Sequence, residues 1–163
     1  MSASGENGKY VDILVQTLQK KQAILTAILQ KNKTQSMLLA GPDYDEEAIG
    51  QNFREKGELV DRLLELDDGF ETLYKRVQSE LEATPETYRA QIVTMQELIT
   101  KITGDGTRIE AQEARNKTLA DQYFAKQGEN VVHARNRNRV TSAYKMAMNA
   151  GISQPAQFLD RKK

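Results

Sequence analysis

Three acidic residues between two apolar stretches have the spacing that begins a calcium-binding loop. Asp43, Asp45 and Glu47 occupy alternate positions, as the first ligands of such a loop do. A calcium loop also needs a glycine at its sixth position and a bidentate carboxylate at its twelfth. Ala48 and Arg54 stand at those two positions. The sequence therefore predicts that these carboxylates do not form a calcium site.

Two further patterns could carry chemistry, and each lacks the residues that the chemistry needs. Gly104-Asp105-Gly106 could cradle a phosphate, but no strand precedes it and no lysine follows at P-loop spacing. His133 is the only histidine, and no nucleophile pattern surrounds it. The chain has no cysteine, which excludes a thiol nucleophile, a disulfide and a thiolate metal site. We expect a non-enzymatic protein without a cofactor or metal ion.

Basic residues are concentrated near the C-terminal end. Residues 131–163 hold seven Lys or Arg and one Asp, a charge of +6, so residues 1–130 carry −6 in a chain whose total is zero. Arg135, Arg137 and Arg139 could contact phosphates. However, alternate residues spread around a helix, and no aromatic residues interleave with them for base stacking. The uneven charge favours a segment that contacts another molecule or its own body over a uniformly inert surface. Nucleic-acid binding through the arginine-rich tail stays a less favoured alternative.

The same segment contains apolar residues that could form a contact surface. They are Val140, Tyr144, Met146 and Met148. Flexible methionine side chains suit adaptable contacts in which a helix lies in a groove. Packing of this patch back onto the body of the protein is an equally favoured alternative.

These candidate residues need elements to position them, and the clearest element covers residues 49–81. Its heptad positions are Ile49, Phe53, Lys56, Val60, Leu63, Asp67, Phe70, Tyr74, Val77 and Leu81. The spacing alternates between four and three residues, which predicts a helix about 50 Å long with one apolar seam. Lys56 and Asp67 lie on that seam, where they either fix the register of the helices or reach the solvated rim. A helix of this kind needs partner helices to cover its seam.

Two more helices are predicted around this one, with bounds of about 9–40, 45–82 and 85–127 for the three. Gly41-Pro42-Asp43 ends the first helix, and Asp43 or Asp45 caps the second. The polar stretch 31–36 leaves only Met37, Leu38 and Leu39 to anchor the end of the first helix.

The third helix is predicted to begin with Thr84 as its N-cap and Pro85 in its first turn. Its seam consists of Tyr88, Ile92, Met95, Ile99, Ile102, Gly106, Ile109, Glu113, Asn116, Ala120 and Tyr123. Because the heptad phase continues through residues 104–106, one long helix is favoured over two short ones.

The predicted fold class is therefore all-α. We expect an elongated, coiled-coil-like antiparallel bundle of three long helices over residues 9–130, after a disordered N-terminus at residues 1–8. Residues 131–163 are predicted to be a basic, partly flexible tail with a shorter helix. The N-terminus lacks the apolar core of a signal peptide and no run of about 18 apolar residues occurs. We therefore expect a soluble cytoplasmic protein without membrane insertion.

Three stretches of this sequence resemble the FlgN-type flagellar export chaperones, including the related FliT-type proteins. The second helix carries the phrase Phe53, Lys56, Leu59, Val60, Leu63, Leu66, Asp67, Phe70. The long third helix contains the polar stretch 116–119, and the chain closes with Tyr144, a spacer and Phe158-Leu159-Asp160-Arg161-Lys162-Lys163. The likeness spans roughly residues 9–163.

The resemblance implies a cytoplasmic chaperone of flagellar type III export. Such a protein binds hook-filament junction (hook-associated) proteins, shields their terminal helices and presents them to the export apparatus. The residues in the C-terminal region that the family uses for its substrates are Val131, Val132, Val140, Tyr144, Met146 and Met148. Tyr123 is a candidate contact for the export gate. The alternative from the residues themselves is a coiled-coil adaptor whose seams close by homodimerisation.

Overall fold

The computed structural model describes residues 5–127, which form three long helices. Helix α1 is Gly5–Ala40, α2 is Glu46–Ala83 and α3 is Arg89–Lys126, with a 3-10 turn at Pro85–Tyr88 between α2 and α3. No strand occurs among these residues, so the predicted all-α class is confirmed for the described part. The tail predicted at residues 131–163 lies outside it.

Helix α1 begins at Gly5, four residues before the predicted start at Lys9. The side-chain amide of Asn7 donates a hydrogen bond of 2.9 Å to Oε1 of Glu80, and Gly8 is buried. The polar sequence of this segment favoured disorder, but contact with the end of α2 gives residues 5–8 a place in the helix.

The two connections are capped differently. Asp45 caps α2, because its Oδ1 accepts the backbone N–H of Ala48 at 3.1 Å. Thr84, predicted to cap the third helix, makes no such side-chain bond. Its hydroxyl donates instead to the carbonyl of Glu80, at 2.9 Å, in the preceding turn of α2. This back-bond is the usual alternative for threonine at the end of a helix, and Pro85 then starts the 3-10 turn.

Contacts between side chains give the direction of each helix. Lys21 pairs with Asp67 and Lys31 with Glu55, so α1 and α2 run antiparallel. Between α1 and α3, Asp12 contacts Gln91 and Asn32 contacts Asn116. The residue numbers rise along both helices in the same direction, so α1 and α3 run parallel. Helix α1 packs closely along both neighbours, whereas the backbones of α2 and α3 come close at few points.

The buried positions follow the predicted heptads, except that at two places the buried residue is the one before the predicted residue. On α2, Asn52 is buried where Phe53 was predicted, and on α3 Gln112 is buried where Glu113 was predicted. In both cases the amide points into the core and the larger or charged neighbour lies half-buried beside it. Helix α3 runs unbroken through Gly104-Asp105-Gly106, as the continuous phase favoured.

The core consists of two apolar clusters with polar residues between them. The larger cluster occupies the end of the bundle that contains the turn from α2 to α3. Its members are Val11, Leu14, Leu18, Leu25, Ile28, Val60, Leu63, Phe70, Tyr74, Val77, Leu81, Tyr88, Ile92, Met95, Ile99, Ile102 and Ile109. The smaller cluster lies at the opposite end and consists of Leu39, Ile49, Ala120 and Tyr123.

Candidate functional site

Five side-chain amides occupy core positions between the two apolar clusters. They are Asn32, Gln35, Asn52, Gln112 and Asn116, all buried, and we refer to them as the amide layer. All three helices contribute to it. Polar side chains at core heptad positions are stabilising only when their hydrogen bonds are made.

A chain of hydrogen bonds through the amide layer links the three helices. The amide of Asn116 on α3 donates to Oε1 of Gln35 on α1 at 3.2 Å. Gln35 in turn donates to Oδ1 of Asn52 on α2 at 3.0 Å. Each bond requires a particular axial position of its two helices, so the network fixes the register of all three.

The same layer also binds the backbone of α1. Asn52 donates to the carbonyl of Lys31 at 3.0 Å, and Asn116 donates to that of Asn32 at 2.9 Å. Gln112 donates to the carbonyl of Leu29 at 3.3 Å. Amides from α2 and α3 therefore hold one turn of α1 from both sides.

Some polar atoms of the amide layer have no hydrogen-bond partner among the described residues. Both side-chain atoms of Asn32 are unpaired although the residue is 1% exposed, and Oε1 of Gln112 is also unpaired. A buried polar group without a partner costs about 1–3 kcal/mol. The amide layer is therefore specific in geometry but less stabilising than apolar residues of the same volume.

One buried and one partly buried ion pair cross between helices. Nζ of Lys21 lies 2.6 Å from Oδ1 of Asp67, with side chains 2% and 9% exposed. Burial lowers the pKa of Lys21 and raises that of Asp67, and the attraction between the two charges opposes both shifts. Lys56 on α2 pairs with Glu113 on α3. Lys56 and Asp67 therefore do not reach a solvated rim, and both are paired across helices.

Aromatic rings surround the smaller apolar cluster, and we refer to Tyr44, Phe53, Tyr123 and Phe124 as the aromatic cluster. The rings of Tyr44 and Tyr123 meet edge to face with centroids 4.8 Å apart. Phe124 lies 5.7 Å from Phe53 and 5.1 Å from Tyr123 by the same measure. Burial raises the pKa of Tyr123. The candidate export-gate contact is thus placed within this cluster, 7% exposed.

The other candidate residues fall into two groups. Asp45 caps a helix, and Asp105 is buried within α3 and pairs with Arg108. No group of three or more acidic, histidine or cysteine side chains that could hold a metal ion occurs in residues 5–127. The remaining candidates lie outside the described residues. They are Val131, Val132, His133, Arg135, Arg137, Arg139, Val140, Tyr144, Met146 and Met148.

Sequence reasoning missed the polar members of the α1 seam. After Gly8, the buried positions of α1 are Val11, Leu14, Leu18, Lys21, Leu25, Ile28, Asn32, Gln35 and Leu39. The expectation that the polar stretch 31–36 lacks core contacts was wrong, and Met37, expected to anchor the helix end, is 78% exposed. The signal was present, because steps of three and four residues continue from Ile28 to Leu39 through both amides.

No helix among residues 5–127 combines the length and the apolar composition needed to cross a bilayer. Comparison of the chain with protein-family models, with curated proteins and with solved structures found no match.

Proposed function

We propose that this chain is a non-enzymatic, helix-binding chaperone of flagellar type III export, of the FlgN type. It acts in the cytoplasm, binds hook-filament junction proteins and delivers them to the export apparatus. The observation that carries the proposal is the pattern of long heptad seams on the second and third helices. Two of the three stretches that resemble this family lie on these helices. The antiparallel three-helix bundle is the body of the chaperone, and residues 131–163 are its binding segment.

The closed body supports the assignment of binding to the tail. The large apolar side chains exposed on residues 5–127 are Ile13 and Met37 on α1 and Val93 on α3. A partner helix needs an apolar strip that continues over several turns. Three residues do not provide one, since Met37 lies near the opposite end of α1 from Ile13. Val140, Tyr144, Met146 and Met148 are the proposed anchors, each contributing about 1.5–3 kcal/mol before the cost of ordering.

Burial of the seams within one chain favours the chaperone over the homodimeric adaptor. An adaptor of that kind needs a second copy to cover its apolar seams. Here the larger apolar cluster draws members from all three helices of a single chain, each at most 5% exposed. Dimerisation is therefore not required to shelter them, and we expect a monomer by light scattering.

Calorimetric titration with purified hook-filament junction proteins tests the function. The full chain is expected to bind at least one of them, and a chain truncated after residue 130 is expected to lose that binding while its helical content by circular dichroism persists. If the full chain binds none of the junction proteins, the chaperone function is rejected. Equal affinity of the truncated chain would reject the tail as the binding segment.

A matched pair of variants separates apolar anchoring from charge. Tyr144→Ser with Met148→Ser removes two anchors and should weaken binding about tenfold or more. Arg135→Gln with Arg137→Gln removes two charges in the same segment and should change affinity little at physiological salt. The reverse ranking would contradict helix-in-groove binding and favour electrostatic binding, including that of nucleic acid.

A further inference from the structure

Helix α3 contains two glycines near its middle, Gly104 and Gly106, and packing does not require a glycine at the first of them. Gly104 is exposed, and a Cβ atom added there would meet no atom within 4 Å. Gly106, two residues later, is buried in the same helix. Glycine is the least favourable helix residue after proline, because it gains the most backbone freedom when the helix opens. The middle of α3 is therefore a weak point in its hydrogen-bond ladder.

This weak point coincides with a change in what holds α3 to the bundle. Before it, the helix is anchored by Ile92, Met95, Ile99 and Ile102 of the larger apolar cluster. After it, Ile109 is the last member of that cluster. Beyond Ile109 the contacts are the amide layer, the Lys56–Glu113 ion pair, the aromatic cluster and the smaller apolar cluster. Water can replace the amide and ionic contacts when they separate. The apolar cost of opening is lower on this side of the glycines, because the smaller cluster has four buried members and the larger one has seventeen.

The topology leaves the end of α3 without a covalent link to its neighbours. At this end of the bundle the turn at residues 41–45 joins α1 to α2. The connection between α2 and α3 is at the opposite end, at residues 84–88. The second half of α3 can therefore move away from α1 and α2 without moving either of them.

We propose that residues 107–126 of α3 open and close as a unit about a hinge at Gly104–Gly106, while the rest of the bundle stays folded. Opening breaks the bonds from Gln112 and Asn116 to α1 and separates Phe124 from Phe53. It uncovers Leu39 and Ile49, which form the smaller apolar cluster with α3. The device is a property of the chain itself and does not depend on the proposed chaperone activity.

Hydrogen exchange of the full-length chain, followed by mass spectrometry at neutral pH, tests the hinge. A detached helix of about 20 residues is marginally stable in water, so the opened segment loses its backbone hydrogen bonds. Amides of residues 107–126 are therefore expected to exchange at least tenfold faster than those of residues 92–103, although both segments belong to one helix. Uniform protection along α3 would overturn the proposal, because it would mean that the helix opens only with the whole bundle.

Two glycine-to-alanine variants distinguish the hinge from general stability. Gly104→Ala should slow exchange in residues 107–126 about fivefold, which is the usual difference between the two residues in a helix. Gly69→Ala is the matched control, because Gly69 is exposed on α2 and an added Cβ also meets no atom within 4 Å. It should leave exchange in residues 107–126 unchanged. Equal slowing of that segment by both variants would overturn the proposal.

Discussion

Tyr74 is buried without a hydrogen-bond partner for its hydroxyl among the described residues. Its side chain lies in the larger apolar cluster, where its ring stacks on that of Phe70 with centroids 6.0 Å apart. Burial, reinforced by the negative charge of Glu82, raises the pKa of Tyr74 from 10.0 to about 12. The phenol is thus kept protonated by its surroundings.

This shift predicts a loss of stability at high pH. Between pH 10.0 and about 12 the folded chain keeps the Tyr74 proton, whereas the unfolded chain releases it. The folded state then binds more protons, so the free energy of unfolding falls as the pH rises through this window. Tyr74→Phe should remove this part of the decline and stabilise the protein by about 1 kcal/mol at pH 7, because an unpaired buried hydroxyl is lost.

Urea unfolding of both proteins at pH 7 and at several values above pH 10 measures the effect. Tyr88→Phe is a suitable control, since the hydroxyl of Tyr88 donates to Oε2 of Glu80 and its loss should destabilise at pH 7. Parallel declines of the wild-type and Tyr74→Phe curves above pH 10 would contradict the assignment.

The Lys21–Asp67 pair predicts an asymmetric response to substitution. Lys21→Met alone leaves the Asp67 carboxylate buried without a partner and should destabilise by about 3–5 kcal/mol. Lys21→Met combined with Asp67→Leu removes both charges from an apolar surrounding, and should unfold at a urea concentration equal to or above that of the wild type. A double variant less stable than the wild type would contradict this and show that the pair is net stabilising.

At the scale of the helices, the heptad spacing predicted the buried faces because one period governs both the helix and its packing. It placed Val60, Leu63 and Phe70 in the core. It could not distinguish Asn52 from Phe53, since either residue continues the phase and only the partner amide of Gln35 selects the asparagine. Steps of three and four residues do not depend on polarity, so polar positions on α1 were missed when apolar residues alone were counted.

The amide layer predicts opposite effects for two asparagines in neighbouring helices. Asn32→Leu replaces a buried amide that makes no side-chain hydrogen bond and should stabilise the fold by about 1–3 kcal/mol. Asn116→Leu breaks the bonds to Gln35 and to the carbonyl of Asn32, and should destabilise it by about the same amount. Thermal unfolding followed by circular dichroism measures both. Destabilisation by Asn32→Leu would indicate that its amide is paired in solution.

For the whole molecule, the sequence predicted three helices and their order but not which helix packs most closely with both others. Loop lengths make sequential helices antiparallel, and that much follows from residues 41–45 and 84–88. Helix α1 packs most closely with both neighbours, and the amides of Asn52 and Asn116 reach its backbone. Such side-chain-to-backbone bonds leave no periodic signal in a sequence.

The described body is also expected to fold without the rest of the chain. Residues 5–127 supply both apolar clusters and the amide layer, so a protein truncated after residue 127 should keep its free energy of unfolding within about 0.5 kcal/mol of that of the full chain.

The charge of the truncated protein is close to the −6 of residues 1–130, whereas the full chain is neutral. If the basic segment lies against the body, the difference in midpoint between the two proteins should appear at low salt and vanish at about 0.5 M salt, where the screening length is only a few ångströms. A salt-independent loss of stability on truncation would mean instead that apolar residues of the segment belong to the core.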